Sequence, residues 1–332
     1  MTGKAMKILL TGATGFLGGH LLEKLLESDY QIRALVRKKS ALKGLKDNQV
    51  ELFKGDLGDK KTLQGIMDGI DVVIHAGACT GGSWQDYQKS TIDGTKHILE
   101  LANSSSVKKV IYVSSIDVYG INRVGKDALV NEATPIEQLP GNVGFYAKSK
   151  IISERLVEEF RKKAKFEIAV VRPGIIYGPG RATSLLPHIG FSLLGGKLFL
   201  KIGKGRKFLP LTYVDNTTAA IVELFVNKNA NGQIYNIIDP KKIKQKEYLE
   251  YYFKLKGIRS IKIPIPYSIF LGFAFLCEKL ARVPGIGKYF GLTRYKLNAK
   301  FKRVQYDGSK IMRQLNWSPP VKLEEGLRKY LA

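Results

Sequence analysis

The sequence predicts an α/β protein: a doubly wound parallel sheet with a smaller, mostly helical C-terminal lobe. Three observations predict it. Short runs rich in β-branched residues alternate with helical stretches through the first half. A glycine-punctuated loop joins the first such run to the first helix. After Gly180 the alternation stops and the chain becomes basic, aromatic and largely helical. Strand, helix, strand repeated in this way implies parallel strands with helices covering both faces.

The elements follow in order. "KILLTGA" (7–13) is a buried-strand run, and 15–27 is a helix with its apolar residues on one face. "QIRALVR" (31–37), "VELFKGD" (50–56), "DVVIHAG" (71–77), "KKVIYVSS" (108–115) and "FEIAVVRPG" (166–174) read as five more strands. Helices lie between most of them, notably 84–103 and 146–163. Beyond the turn cluster "YGPGR", 184–198 reads as a helix, "FLPLTYVDN" (208–216) leads into a helix over 217–226, and "GQIYNII" (232–238) is one further strand. This gives a dinucleotide-binding unit over 1–180, to which the chain returns at about 208–238, and a substrate lobe from 181–207 and 239–332.

Composition narrows the class. With 332 residues, 44% apolar and 25% charged, the chain has the make-up of a soluble globular protein with an ample core. Cys79 and Cys277 are too few for a disulfide framework and lack metal-ligand spacing, so they read as buried thiols of a reducing compartment, with no metal expected. The N-terminal apolar run breaks at glycines and no stretch has the length of a spanning helix, so a cytoplasmic location is expected. The net charge of +25 is uneven: +6 over 1–180 and +19 over 181–332. Such a field favours anionic partners, although a generally basic surface for solubility gives the same count. The basic residues follow no nucleic-acid-binding module, so no nucleic-acid partner is expected.

The motifs supply the chemistry. "TGATGFLG" (11–18) follows the first strand and opens the first helix, with glycines at 12, 15 and 18. The first permits a tight turn, the second lets backbone approach a pyrophosphate, and the third lets the helix close on the strand. The helix N-terminus adds unpaired N–H donors. Gly12, Thr14, Gly15, Phe16, Leu17 and Gly18 are therefore assigned to a dinucleotide. At the end of the second strand stand Arg37 and Lys38, with no carboxylate for the ribose hydroxyls of NAD. A guanidinium there clamps a 2′-phosphate, which favours NADP over NAD. The Asp56 carboxylate, after the third strand, could accept from the adenine amino group, with Leu57 beside it also assigned to the cofactor, and Ala76, after the fourth, lies where a cofactor could rest on backbone. His75 reads as a core histidine without a part in the chemistry.

Ser114 and Ser115 reach the carboxyl edge of the sheet, where such folds bind ligands. Tyr146 and Lys150 lie one helical turn apart and return to the same edge. A phenol with a pKa of about 10 is a poor base near neutrality. A neighbouring ammonium and a cationic nicotinamide favour the phenolate, so Tyr146 could exchange a proton with a substrate oxygen held by Ser115. Lys150 could also bond the cofactor ribose.

At this point the chain resembles the extended short-chain dehydrogenases/reductases, in their epimerase/dehydratase and 3β-hydroxysteroid dehydrogenase-like branch. "TGATGFLG", "GDL", "VSSIDVYG", "YAKSK", "VRPGIIYGPG", "YVDN" and "LNWSPPVKLEEGLRKYL" carry the likeness over essentially the whole chain. It implies a Rossmann-type cofactor domain, a catalytic set of Ser115, Tyr146 and Lys150, Pro173 beside the nicotinamide, and a homodimer joined through 84–103 and 146–163. Thr91 stands where the family carries an asparagine that supports backbone near the site. Ile116 and Asp117 replace the acidic pair of the dehydratases, so water elimination is not expected.

Two enzyme readings remain. One is a reductase or dehydrogenase of a carbonyl or alcohol, favoured by the basic loop and the apolar run before "YVDN". The other is a nucleotide-sugar epimerase with tightly held NAD, for which Arg181, Lys204, Arg206 and Lys207 could bind a diphosphate. The substrate is thus a small molecule, apolar or nucleotide-linked. A cofactor-sensing scaffold is the non-enzyme alternative, disfavoured because both Tyr146 and Lys150 are present. Finally, 263–292 is aromatic and apolar with basic flanks: a lid over the cleft, or a peripheral contact with an acidic membrane.

Overall fold

A computed structural model of the chain describes residues 5–37, 50–139, 143–181, 185–280 and 293–331. Its first half runs β1 (Lys7–Thr11), α1 (Phe16–Leu26), β2 (Gln31–Val36), β3 (Glu51–Lys54), β4 (Val72–His75), α2 (Trp84–Tyr87), α3 (Gly94–Asn103), β5 (Lys109–Val113), β6 (Leu129–Val130), α4 (Phe145–Arg161) and β7 (Glu167–Pro173). The wider π-helical turn Gln88–Asp93 joins α2 to α3. The central strands β1, β4, β5 and β7 are mostly apolar because both faces of the sheet are covered there, whereas the edge strand β3 is largely exposed. Ile8 and Leu10 of β1 enter one core with Leu21 and Leu25 of α1, while Leu9 enters the other with Ile98 and Leu99 of α3.

The second half adds β8 (Ile175–Tyr177), β9 (Gly190–Leu193), β10 (Leu198–Ile202), β11 (Phe208–Leu209), β12 (Leu211–Tyr213), α5 (Val214–Val226), β13 (Ile234–Ile237), β14 (Ile243–Lys244), α6 (Gln245–Leu255), β15 (Ile261–Ile265), α7 (Tyr267–Leu280), α8 (Arg294–Phe301), β16 (Gln305–Tyr306), α9 (Ser309–Leu315) and α10 (Leu323–Leu331). The main sheet has seven strands in the order β13-β7-β5-β4-β1-β2-β3, and all its pairings are parallel. After β1 the chain builds outward to β3, then returns to the other side of β1 at β4. The crevice at the carboxyl ends of β1 and β4 is therefore the switch point where such sheets take ligands.

Two expectations about the second half need correction. The stretch 184–198 is not one helix: Ser184 lies outside the described residues, Leu186–His188 is a single 3-10 turn, and from Gly190 the chain forms the hairpin of β9 and β10. An unbroken apolar run has no period to separate strand from helix, and here the glycines decide. Leu194 and Gly195 take positive φ in the turn (50° and 64°). A Cβ at Gly190 would lie 2.0 Å from the Leu200 carbonyl oxygen, so only glycine fits that close pairing. Within the segment read as largely helical, β15 is a strand paired in parallel with β10.

Candidate active site

A cavity of about 1220 Å³ occupies the switch point. Gly12, Thr14, Gly15, Phe16, Leu17, Gly18, Arg37, Asp56, Leu57, Ala76, Ser115, Tyr146, Lys150 and Pro173 all line it. Lys38 lies outside the described residues.

At the β1–α1 turn the three glycines do different things. Gly12 has φ +79°, and a Cβ there would lie 2.7 Å from the Gly77 nitrogen. A Cβ at Gly18 would lie 1.9 Å from the Gly12 carbonyl oxygen, so this glycine lets helix and loop touch. At Gly15 the added carbon would meet only the Gly12 oxygen, at 3.2 Å, and it would otherwise occupy the cavity. Gly15 is also the N-cap of α1 and provides no side chain to cap the first-turn N–H groups. Open space in front of uncapped donors fits the pyrophosphate of a dinucleotide. Arg37 is exposed and, among the described residues, forms no ion pair, while β2 ends at Val36 without a carboxylate. The Asp56 side chain turns its own loop by accepting from the Gly58 N–H at 2.8 Å.

His75 is a strut. Its Nδ1 lies 2.7 Å from Thr11 Oγ1 and its Nε2 3.1 Å from Thr95 Oγ1. Thr95 donates its own proton to the Thr91 carbonyl, so it accepts from Nε2–H, and Nδ1 accepts from Thr11. Burial, helped by the Lys150 charge, pushes the imidazole down to about 3 and keeps it neutral. Thr91 takes a direct part in shaping the site, because its hydroxyl accepts from the Cys79 N–H at 2.9 Å. That bond pins the loop after β4 to the π turn. The Cys79 thiol is half-buried and donates to the Gly81 carbonyl, whereas Cys277 is buried as expected of a core thiol.

Ser115 follows β5, Tyr146 lies in the first turn of α4, and Lys150 follows one turn on. The Lys150 ammonium donates to the Val113 carbonyl at 2.7 Å. Burial lowers its pKa to about 8, with Glu154 opposing. The expected depression of the Tyr146 pKa does not come from the protein's own groups. Burial, reinforced by Asp117, raises it; a Ser115 hydrogen bond and the Arg181 charge oppose the rise without overcoming it. The chain by itself thus holds a neutral phenol, ready to donate.

A polar network beneath these residues is harder to read from sequence. Ser114 donates to Glu154, and Glu154 pairs with Arg172, whose Nε lies 2.9 Å from Glu154 Oε1. Arg172 also donates to the Tyr119 hydroxyl at 2.9 Å, which in turn donates to Asn236 at 2.6 Å. The signal available was Glu154 at four residues beyond Lys150, on the same helix face.

The opposite end of the cavity is cationic. Arg181, Lys207, Lys296 and Lys300 line it beside a neutral His188, against the single carboxylate of Asp117. Burial raises the Asp117 pKa, with Lys207 opposing, and Asp117 lines the cavity. Burial lowers Lys207 to about 8. Burial and the charges of Lys300, Arg181 and Lys207 lower His188 to about 4. Of the four cations proposed from sequence, Arg181 and Lys207 line this cavity, whereas Arg206 lines a smaller one and Lys204 lines neither. Among the described residues no group of three or more His, Cys, Asp or Glu could hold a metal.

A parallel doubly wound sheet with this cavity defines a nucleotide-binding enzyme of the extended short-chain dehydrogenase/reductase type. More specifically, a sequence model of the NAD dependent epimerase/dehydratase family matches residues 8–237, and the chain belongs to that family. It is 27% identical over 335 residues to the sterol-4-alpha-carboxylate 3-dehydrogenase (decarboxylating) of Dictyostelium discoideum, covering 96% of this chain and 98% of that one. It is 28% identical over 337 residues to the N-acetyl-alpha-D-glucosaminyl-diphospho-ditrans,octacis-undecaprenol 4-epimerase of Escherichia coli O157:H7, covering 98% and 94%. The fold is shared with the UDP-glucuronic acid 4-epimerase of Bacillus cereus, solved in complex with NAD, at a TM-score of 0.73 and 23% identity over 98% of this chain and 97% of that one.

Proposed function

We propose that this NAD(P)-dependent enzyme transfers a hydride between its cofactor and a carbonyl or alcohol substrate, with Tyr146 as proton donor and acceptor. The observation that carries the reading is that Ser115, Tyr146 and Lys150 line the same cavity as the Gly12–Gly18 turn. When bound, the nicotinamide supplies or takes the hydride. Ser115 holds the substrate oxygen, Tyr146 delivers or removes its proton, and Lys150 bonds the ribose and keeps positive charge near the phenol. A phenol held neutral by burial suits the reductive direction, in which it is the acid. Arg37, without a carboxylate beside it, supports NADP over NAD. We read 181–207 and 239–332 as the lobe that shapes the substrate end, and a homodimer through 84–103 and 146–163 as the assembly, which light scattering tests.

The cationic end of the cavity favours a substrate with an anionic group. The same feature supports a second reading, a nucleotide-sugar epimerase, since a diphosphate would find the charges of Arg181 and Lys207 on the cavity wall. Oxidation of NADPH with a panel of ketones and keto acids separates the two. Turnover supports the oxidoreductase. Copurified NAD that does not exchange, together with interconversion of sugar nucleotides, overturns it in favour of the epimerase.

A further inference from the structure

The sheet of β9, β10 and β15 presents an unusual outer face. Its register places Leu193, Leu198 and Ile261 in one cross-strand row and Phe191, Leu200 and Ile263 in the next. The inward face carries Phe199, fully buried. An outer sheet face is ordinarily polar, yet Ile261 is 70% exposed, Phe191 50% and Ile263 44%. Helix α7 extends this surface, because Phe270 stacks on Phe191 with ring centroids 6.0 Å apart. Ala274 and Cys277 are buried, while Ile269, Phe273 and Leu276, spaced i, i+4, i+7, stay 52–60% exposed. Side chains at that spacing form one stripe. Contiguous apolar surface on two elements marks an interaction site.

Charge identifies the occupant. Residues 190–202 and 256–280 contain Lys197, Lys256, Arg259 and Lys279, all exposed, with Lys201 and Lys262 alternating onto the Phe199 side of the sheet; their one carboxylate, Glu278, is engaged by Arg294 at 2.9 Å. A second copy of the chain would bring like charge against like. No described helix is long and apolar enough to cross a membrane. We propose that this face docks peripherally on an anionic lipid bilayer, its apolar side chains at the headgroup–acyl boundary and its basic rim on the headgroups. Docking also bears on the cavity. The Tyr267 hydroxyl of α7 donates to Asn298 of α8 at 2.7 Å, and α8 contributes Tyr295, Lys296 and Lys300 to the cavity wall. An apolar substrate with an anionic group would then reach the site beside the bilayer that dissolves it.

The test is vesicle flotation of the full-length chain, comparing phosphatidylcholine with phosphatidylcholine–phosphatidylglycerol at low and high salt. We expect at least a roughly tenfold preference for the anionic vesicles at low salt, lost at high salt. Ile269→Ser with Phe273→Ser, and separately Lys197→Glu with Lys279→Glu, should each lower that binding about tenfold while melting temperature and cofactor affinity stay at the wild-type level. Absence of binding to anionic vesicles at low salt overturns the proposal, as does binding indifferent to both variants. Dimerisation abolished by the serine pair, with no vesicle binding, overturns it in favour of a contact between copies.

Discussion

Replacing Gly15 by alanine separates what the protein needs from what a dinucleotide needs. Gly15 has φ −85° and ψ 170°, a conformation alanine adopts freely. The new carbon meets one protein atom, the Gly12 oxygen at 3.2 Å, and that slight crowding is offset by about 0.4–1 kcal/mol from the stiffer unfolded chain. Stability should therefore change by less than about 1 kcal/mol. The methyl nevertheless stands where a phosphate oxygen must approach the first-turn N–H groups to about 2.9 Å. Overpacking of this kind costs about 1–3 kcal/mol, so the Kd for NADPH should rise roughly five- to 150-fold. Gly18→Ala is the contrast: its Cβ would lie 1.9 Å from the Gly12 oxygen and 2.6 Å from the carbonyl carbon, both backbone, so the fold itself must open. Thermal melting reads the first effect and NADPH fluorescence titration the second. Wild-type affinity in Gly15→Ala would refute the cradle, and a melting loss matching that of Gly18→Ala would refute the geometry.

Three further outcomes are expected. Arg37→Glu should weaken NADPH by about tenfold or more and leave NADH nearly unchanged, since a charged hydrogen bond is worth about 1.5–3 kcal/mol; equal loss for both cofactors in paired titrations would argue against a 2′-phosphate contact. Glu154→Ala leaves Arg172 buried without its carboxylate and should cost about 3–5 kcal/mol in chemical denaturation, whereas a loss below about 1 kcal/mol would show that water or another group replaces it. The third outcome concerns acid. The folded-state pKa of His75, about 3, is below its ordinary 6.5. The unfolded chain therefore binds the proton more readily, so stability is complete above pH 6.5 and falls as pH drops towards 3. His75→Asn should flatten the slope of unfolding free energy by about 1.4 kcal/mol per pH unit near pH 5–6. Asp239, raised to about 6 by burial, acts with the opposite sign, so the comparison must be of slopes between variant and wild type.

The features legible in sequence are those set by a local pattern. Val73 and Ile74 sit in different cores, so the run Val72–Ile74 has to be apolar on both faces. The glycines of the first turn announce themselves by spacing, and Tyr146 and Lys150 by one helical turn. What stayed hidden depends on distant pairing. The strand Ile261–Ile265 exists because β10 accepts it as a neighbour, and nothing within its own five residues says so. Glu154 and Arg172 look like ordinary charges until the packing of α4 against β7 buries both. His188 and Lys300 become cavity residues through the folding of the chain beyond 181. Thr91, read as a departure from a family pattern, keeps a backbone bond through its hydroxyl.

The central claim is that the Tyr146 hydroxyl carries the proton while the cofactor carries the hydride. Its most direct test is Tyr146→Phe on the best substrate from the carbonyl panel, with NADPH affinity measured in parallel. A fall in kcat of about a hundredfold or more at unchanged NADPH Kd is predicted. Undiminished turnover by the phenylalanine variant would contradict the account.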